Sequence, residues 1–403
     1  MDVNLIEKLV CPNCKKNFSI FKVLERRNND LVGGILRCSC SSYVVVEGIV
    51  VFDLDKNREL VQVMTTCTDY GKIRKTVLKF FVSDKHFEAI HSGKSFSEVV
   101  NVVYNKSFAD YLVYRYSCKS FFDSIPFFVC MKQGLILDAG CGAGHFSNLM
   151  SQYMPESKIV SVDQNFVSLL IARNFFGMNN LLCFNMDRIF PFEDRSFDTI
   201  LCNDTFHYLN NKQFIALEFQ RTIKKSGAIF ISHLHNALKE NYFAGTPLKP
   251  EEYKSLFSSS RLYSNDSILK DFFLNDILNL SINSFISDIN NSQTISLVCS
   301  EDKNLFKKYF NLSKFFYKRM PTYSLNPIYK VKKDGEKTVL ELNYPSIIFK
   351  KEHELKVDFL PQLVKLDNKD LFAKETLLRL MKLFVFVKPL EKVFEKLIGT
   401  CDC

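Results

Sequence analysis

The sequence predicts an α/β protein in which a parallel sheet binds a ligand at the carboxyl ends of its strands. The first observation is the stretch 135–144, LILDAGCGAG, in which an apolar run ends in an acidic residue and glycine follows at every second position. Such a run is typical of a buried parallel strand that enters a tight turn before a helix. The second observation is that further short apolar strands follow with helical stretches between them, which predicts βαβ units.

Acidic residues end the first three of these strands. The predicted strands after 135–139 are 158–163, 181–187, 196–203, 227–233 and 294–299, and the predicted helices are 146–154, 166–176 and 211–224. A carboxylate at such a strand end, as in Asp138, Asp163 and Asp187, accepts hydrogen bonds from ribose hydroxyls or amino groups. The alternative is that each Asp caps the helix that follows, since Asp is a favoured N-cap.

Five sequence blocks together resemble the class I S-adenosylmethionine-dependent methyltransferases. They are LDAGCGAG at 137–144, VD at 162–163, MD at 186–187, PFEDRSFDTI at 191–200 and NDTFHYL at 203–209. The resemblance covers roughly residues 110–303. It implies a Rossmann-like α/β sheet of seven strands and the use of S-adenosylmethionine as methyl donor. The glycine pattern GxGxG, rather than GxGxxG, favours this family over a nicotinamide-binding fold.

The resemblance also implies a role for each residue of the cofactor site. The loop residues would line the amino-acid end of the cofactor, Asp138 would lie near its sulfonium or amino group, and Asp163 would hold the ribose hydroxyls. Asp187 would accept from the adenine amino group while Met186 packs near the ring. The expected cofactor-binding residues are Asp138, Gly140, Cys141, Gly142, Gly144, Asp163, Gln164, Met186, Asp187 and Asn203.

Paired cysteines near the amino terminus predict a small zinc ribbon. Cys11 and Cys14 form a CPxC pair, and Cys38 and Cys40 form a CxC pair about two dozen residues later. Four thiolates can satisfy one tetrahedral Zn²⁺. The segment 42–52 predicts a strand, a turn and a strand. The region resembles the ribbon domains that activate or precede some methyltransferases, but its CxC half is one residue shorter than the usual CxxC, so a ribbon without tight metal binding is the alternative.

The chain is therefore expected to have four parts. Residues 1–55 would form the zinc-ribbon-like β domain, 56–133 a helical linker and cofactor lid, 134–303 the methyltransferase domain, and 304–403 a carboxyl-terminal α+β extension. The insertion 236–292 would shape an acceptor pocket. The segment 108–126 is predicted as a helix from which Tyr111, Arg115 and Tyr116 could reach the site. In the extension, 339–342 and 347–349 are predicted as strands and 369–397 as largely helical.

Three histidines are candidates for proton transfer. An O- or N-acceptor with a high pKa benefits from a general base within hydrogen-bond reach. His207 is the first candidate because it follows the fourth strand, near the expected methyl position. His233 and His235 follow the fifth strand, and their i, i+2 spacing would place them on one face of an extended segment. The alternatives are that the three bind a metal ion or that His207 is only packed in the helix start.

Composition bounds the remaining questions about function. The 403 residues include 13 cysteines scattered through predicted helices and strands, which indicates a reduced, cytoplasmic protein rather than a disulfide framework. We see no secretory signal and no stretch long enough to span a membrane.

The expected reaction is O- or N-methylation of a small molecule or saccharide. The formal net charge of +9 and the ribbon keep an RNA methyltransferase as the second hypothesis. A catalytically silent cofactor-binding scaffold is the third. No oligomeric state is predicted.

Overall fold

The structure is a computed structural model. It describes residues 1–52, 54–241, 245–312, 315, 324–354, 360–370, 376, 379–380, 383 and 386–387. Over these residues the chain forms alternating helices and strands, so the predicted α/β class is confirmed. No helix in the described ranges is long and apolar enough to cross a membrane.

The strands fall into one large mixed sheet and three small sheets. The strands are β1 (Ser19–Arg27), β2 (Asp30–Arg37), β3 (Ser42–Val46), β4 (Ile49–Val51), β5 (Leu135–Ala139), β6 (Lys158–Asp163), β7 (Leu181–Cys183), β8 (Phe197–Asn203), β9 (Ile223–His235), β10 (Ser260–Ser264), β11 (Ile277–Asn279), β12 (Thr294–Cys299), β13 (Lys308–Phe310), β14 (Ser324–Leu325), β15 (Tyr329–Asp334), β16 (Lys337–Leu342), β17 (Leu363–Asp367) and β18 (Phe386–Val387). The large sheet has the order β1-β2-β3-β4-β7-β6-β5-β8-β9-β12-β10.

The helices lie between these strands and cover both faces of the large sheet. The helices are α1 (Val3–Ile6), α2 (Leu54–Thr66), α3 (Tyr70–Leu78), α4 (Asp84–His91), α5 (Phe96–Val103), α6 (Lys106–Val113), α7 (Lys119–Phe122), α8 (His145–Tyr153), α9 (Phe166–Phe176), α10 (Lys212–Thr222), α11 (Pro250–Ser255), α12 (Asn265–Lys270), α13 (Ile286–Asn291) and α14 (Ile347–His353). Because side chains alternate along a strand, Ile136 and Ile159 pack into one apolar core and Leu137 and Val160 into the other.

The sheet has eleven strands rather than the expected seven because the amino-terminal ribbon joins it. Strand β4 pairs in parallel with β7, with Ile49 opposite Leu181 and Val51 opposite Cys183. Strands β1 to β4 then continue the sheet as antiparallel neighbours. This pairing supplies hydrogen-bond partners to the edge of β7, which would otherwise be exposed.

Two predicted strands are shorter or absent for local reasons. The predicted strand 181–187 ends at Cys183, because the Asn185 side chain accepts from the Asp187 N–H at 2.9 Å and forms a turn. The predicted strand 347–349 was wrong, since these residues open helix α14. Its N-cap is Ser346, whose hydroxyl accepts from the Phe349 N–H at 3.0 Å.

The predicted helix 108–126 and the predicted insertion 236–292 also differ from the structure. The aromatic segment is divided into α6, a 3₁₀ turn at 115–117, α7 and a second 3₁₀ turn at 125–129. The insertion contains β10, which pairs with β12 and forms the far edge of the large sheet, so it is part of the sheet as well as a loop region. Most of the predicted helix 369–397 lies outside the described residues.

Candidate functional site

A cavity of about 1110 Å³ lies at the carboxyl ends of β5, β6, β8 and β9. Helix α6 and the start of α7 form one wall, and helix α14 forms another. Every residue predicted to bind the cofactor lines this cavity except Gly144. The carboxyl ends of parallel strands are where open α/β sheets bind ligands, and this cavity is large enough for a nucleoside-sized ligand and a second small molecule.

The glycine loop between β5 and α8 is shaped for close approach of a ligand. Gly140 has φ +81°, and a Cβ there would lie 2.3 Å from Cγ2 of Thr205. Gly142 has φ +53°, yet a Cβ there would meet nothing within 4 Å, so its open side belongs to the cavity. Gly144 lies behind the loop, where a Cβ would lie 2.7 Å from Cβ of Ala172. Its role is the close packing of the loop on α9 rather than contact with a ligand.

Two carboxylates, buried Asp138 and half-buried Asp163, lie at the strand ends of the cavity. Asp163 accepts from the Gly142 N–H at 2.9 Å and from the Asn165 N–H at 2.8 Å. Asp138 is 2% exposed and accepts from the Ser147 hydroxyl at 2.5 Å. Burial raises the pKa of both carboxyls, that of Asp138 to about 6. A buried carboxylate without a cation gains most from a positively charged ligand.

The third acid of the predicted set is held differently. Asp187 accepts from the Asn211 N–H at 2.9 Å and from the Asn210 side-chain amide at 3.2 Å. Asp187 is half-buried. It lines the cavity beside Met186, which is buried, and beside Gln164 and Cys141. Each oxygen of the Asp187 carboxylate has a second lone pair available to a ligand donor.

Asn203 carries an unpartnered donor at the end of β8. Its side-chain oxygen accepts from the hydroxyls of Ser124 and Ser232. Its Nδ2 is buried and has no hydrogen-bond partner among the described residues. An unmade hydrogen bond of this kind costs about 1–3 kcal/mol, so the amide is placed for an acceptor atom that a ligand would supply.

The three histidines lie close together, but only two of them line the cavity. His207 is fully buried, and both of its ring nitrogens lack a partner among the described residues. Burial lowers the pKa of His207 to about 2, and burial followed by the nearby His233 lowers that of His235 to about 4. His233 and His235 both line the cavity wall. The structure therefore favours these two over His207 for contact with a ligand.

The alternative of a metal ion bound by the histidines does not fit the ring geometry. Ligand atoms of Asp204, His207 and His235 lie within 4.8 Å of one another. The rings of His207 and His235, however, are stacked with their centroids 3.7 Å apart at 18°. An ion between them would lie well outside both ring planes, whereas imidazole binds metals in its plane through a ring nitrogen.

His233 makes a hydrogen bond for which there is no local sequence signal. Its Nδ1 lies 2.6 Å from Oδ2 of Asp123, a fully buried residue just after α7. Its Nε2 lies 3.8 Å from Oδ1 of Asp204. Asp204 also accepts from the Tyr111 hydroxyl at 2.9 Å and lies 3.7 Å from the Arg115 guanidinium. Tyr111 and Arg115 thus reach the cavity as predicted, while buried Tyr116 does not line it.

Sequence reasoning missed several residues of the cavity wall. Asp204 was visible in the NDTFHYL block but received no role. The α14 residues Phe349, Glu352 and His353 carried no local signal, because only the tertiary fold brings them to the cavity. The same holds for Asp123, which is fully buried behind the wall and is linked to the cavity through its hydrogen bond to His233. Burial raises the pKa of Glu352 to about 7 and lowers that of His353 to about 3.

The four amino-terminal cysteines lie close together near β2 and β3, toward the edge of the large sheet that is opposite to β10. The sulfur atoms of Cys11, Cys14, Cys38 and Cys40 all lie within 4.8 Å of one another. Sγ of Cys40 lies 3.6 Å from that of Cys11 and 3.6 Å from that of Cys38. The short CxC spacing therefore does not keep the four sulfurs apart.

Comparison with known proteins identifies the central domain. Residues 137–231 match the family model described as a methyltransferase domain. The malonyl-[acyl-carrier protein] O-methyltransferase of Bacillus cereus is 28% identical over 139 residues, which are 33% of this chain and 51% of that protein. The ubiquinone biosynthesis O-methyltransferase of Pelagibacter ubique is 28% identical over 117 residues, which are 28% of this chain and 48% of that protein.

A solved structure is similar over a longer stretch. An S-adenosylmethionine-dependent methyltransferase from Thermotoga maritima is 17% identical, with a TM-score of 0.35, and the match covers 51% of this chain and 98% of that one. The chain spans about half the length of the curated relatives it matches. Residues 137–231 are thus similar to a methyltransferase domain.

Proposed function

We propose that this protein transfers a methyl group from S-adenosylmethionine to a hydroxyl or amino group of a small acceptor. The observation that carries the proposal is that one cavity is lined both by the predicted cofactor residues at the strand ends and by the imidazole of His233. When bound, the cofactor supplies an electrophilic methyl carbon on a sulfonium. The protein's part is to hold donor and acceptor in line and to exclude water.

The residues present fit that cofactor. Asp163 uses one lone pair of each oxygen for the loop amides and keeps the others for ribose hydroxyls. Asp138 would gain the cationic neighbour that its burial calls for. The unpartnered Asn203 Nδ2 would gain an acceptor atom. Asp187 and Met186 would adjoin the adenine, as the family resemblance implies.

The charges of the cavity wall favour an acceptor that is not an anion. Among the described wall residues the cations are Lys106, Arg115 and Lys119, and each lies within ion-pair distance of an Asp. The same wall carries six carboxylates, in Asp110, Asp138, Asp163, Asp187, Asp204 and Glu352. Phosphate and carboxylate groups are bound in proteins by unpaired Arg or Lys, so this wall disfavours RNA and free carboxylates. A neutral saccharide or polyol, or an amine, suits it better.

The experiment that tests the function is calorimetric titration with S-adenosylmethionine. We expect binding by the wild-type chain and a loss of about 10-fold or more in affinity for Asp163→Ala, because hydrogen bonds to a charged group contribute about 1.5–3 kcal/mol. The matched control is Asp334→Ala, a carboxylate in the exposed β15–β16 turn. Equal affinity in all three proteins, or no binding by the wild type, would contradict the proposal.

Paired acceptors then test the charge argument. Neutral methyl glycosides and their phosphorylated counterparts are offered with the cofactor, and S-adenosylhomocysteine formation is measured. We expect turnover with neutral members only. Preference for the phosphorylated members or for RNA would support the second hypothesis, whereas tight cofactor binding without turnover on any acceptor would favour the silent scaffold.

We also propose a structural Zn²⁺ bound by Cys11, Cys14, Cys38 and Cys40. Tetrahedral Zn–S bonds of about 2.3 Å place sulfurs roughly 3.8 Å apart, and the sulfur separations support this arrangement. Thiolate ligands suit the reduced, cytoplasmic setting that we expect. Metal analysis should find one zinc per chain in the wild type and less in Cys40→Ser, with Cys67→Ser, a free cysteine outside the cluster, as control.

A further inference from the structure

We propose that His233 takes the proton from the acceptor's hydroxyl or amino group, and that Asp123 is the positioning residue that holds its imidazole with Nε2 free toward the cavity. This inference rests on the proposed function. It replaces the expectation that His207 is the base.

The environment of Asp123 determines which nitrogen of His233 carries the proton. Asp123 is fully buried and also contacts Lys119 Nζ at 3.0 Å, Asn265 Nδ2 at 2.8 Å and the Thr294 hydroxyl at 3.1 Å. Although burial by itself would raise the pKa of Asp123, the charge of Lys119 and the hydrogen bond from His233 lower it below its usual value. Because Asp123 is therefore an acceptor only, Nδ1–H of His233 must donate to it. Nε2 is left with a lone pair.

The backbone at His233 is distorted in a way that aims the ring. His233 has φ +54°, although it lies inside strand β9. Leu297 pairs with Ile231 and Ile295 with Leu234, so two residues of β9 lie opposite the single residue Ser296. Such a bulge redirects a side chain. A left-handed conformation costs a non-glycine residue about 1–2 kcal/mol, and strain of this kind clusters at functional sites.

A second residue with a strained backbone, Asp204, lies beside His233. Asp204 follows β8, the parallel neighbour of β9, and has φ +53°. Its Oδ1 lies 3.8 Å from Nε2 of His233, which is too far for a hydrogen bond but close enough to stabilise an imidazolium electrostatically. Burial alone would raise the pKa of Asp204, but His233, Arg115 and His207 hold it well below its usual range.

The groups around His233 come from several elements. The titratable and charged groups that face it directly or through one neighbour are Asp123, Lys119, Asp204, Arg115, Tyr111, His207, His235, Glu352 and His353. Asp123 and Asp204 lie nearest and carry opposite charge to an imidazolium. Both would lie close to the positive charge of an imidazolium, and among the described residues only Asp123 is hydrogen-bonded to the ring.

For a hydroxyl acceptor, the proposed step forms one bond, breaks one bond and moves one proton. The acceptor oxygen forms a new C–O bond, the methyl C–S bond breaks with its electron pair going to sulfur, and the acceptor proton moves to Nε2 of His233. The product imidazolium then lies between the carboxylates of Asp123 and Asp204, and it returns the proton to water when the cavity opens.

Nitrogen NMR of histidine-labelled protein tests this inference without an identified acceptor. The chain has 7 histidines, and the signals missing from His233→Gln identify those of His233. We expect the Nδ1–H tautomer at neutral pH in the wild type. In Asp123→Asn we expect a larger share of the Nε2–H tautomer, because a neutral amide oxygen accepts from Nδ1–H less strongly than a carboxylate does.

The matched control is Asp266→Asn. Asp266 lies 3.4 Å from Lys119 and is not among the described contacts of His233, so its substitution should leave the tautomer of His233 unchanged. An Nε2–H tautomer in the wild type would overturn the inference, and this measurement does not require Asp123→Asn to fold. An unchanged tautomer in folded Asp123→Asn would overturn it as well. Cofactor binding is measured separately, so failure of the proposed function can be distinguished from failure of the proposed roles of His233 and Asp123.

Discussion

The two halves of the cavity are built in different ways. The cofactor half consists of residues at or just after the carboxyl ends of β5, β6 and β8, together with Met186 and Asp187 beyond β7, all within 66 consecutive residues from Asp138 to Asn203. The acceptor half combines Tyr111, His233 and the α14 residue Glu352 from distant parts of the chain, and Asp123 lies behind the wall as the hydrogen-bond partner of His233. Under the proposed function, donor binding would depend on residues that are close in the sequence, whereas acceptor binding and proton transfer would depend on how separate segments pack.

The largest expected effect separates the two halves by function. With any acceptor that supports turnover, His233→Gln should lower kcat about 10²–10⁴-fold, the usual contribution of a general base, and leave the affinity for S-adenosylmethionine unchanged. His207→Gln should have little effect on kcat if it folds, because His207 is absent from the cavity wall. Single-turnover kinetics with calorimetry checks both. A kcat loss confined to His207→Gln would restore the original expectation.

A smaller effect concerns pH and the cofactor half alone. The pKa of Asp138 is raised to about 6 by burial, and the cationic cofactor favours the ionised carboxylate. Binding therefore releases a proton below pH 6, and affinity should fall as pH falls through that value. We expect about 10-fold weaker binding at pH 5 than at pH 7. Titrations across this range should show that Asp138→Asn loses the dependence, and a pH-independent wild type would contradict the assignment.

The smallest effect concerns the strained backbone of the acceptor half. At position 233, Gly should give a more stable protein than Ala by about 1 kcal/mol, since only Gly adopts φ +54° without strain. At Ser232, whose φ is not left-handed, the order should reverse, because Gly costs about 0.5–1 kcal/mol in a strand. Urea unfolding of the four variants measures both differences. The same order at both positions would show that the bulge carries no strain.

The sequence predicted the α/β fold for identifiable reasons, and all of the residues predicted to bind the cofactor except Gly144 line one cavity. Apolar runs bounded by Gly and Asp specify buried parallel strands, and the carboxyl end of such a strand has a fixed place in the sheet. Helix 166–176 and strand 294–299 have the predicted bounds. The predicted strand 347–349 failed because a Ser N-cap and tertiary packing on α6 outweighed the β propensity of two isoleucines.

The sequence by itself determined the α/β class, the strand-end acids, the glycine loop and the four cysteines that converge. Only the tertiary structure decided that β4 extends the sheet to eleven strands, that His233 rather than His207 faces the cavity, and that Asp123 holds it. The physical reason is the distance along the sequence over which each feature is specified. Strand-end positions follow from periodicity within a few residues, whereas the bulge at His233 and the 110-residue separation from Asp123 become defined only when distant strands and helices pack together.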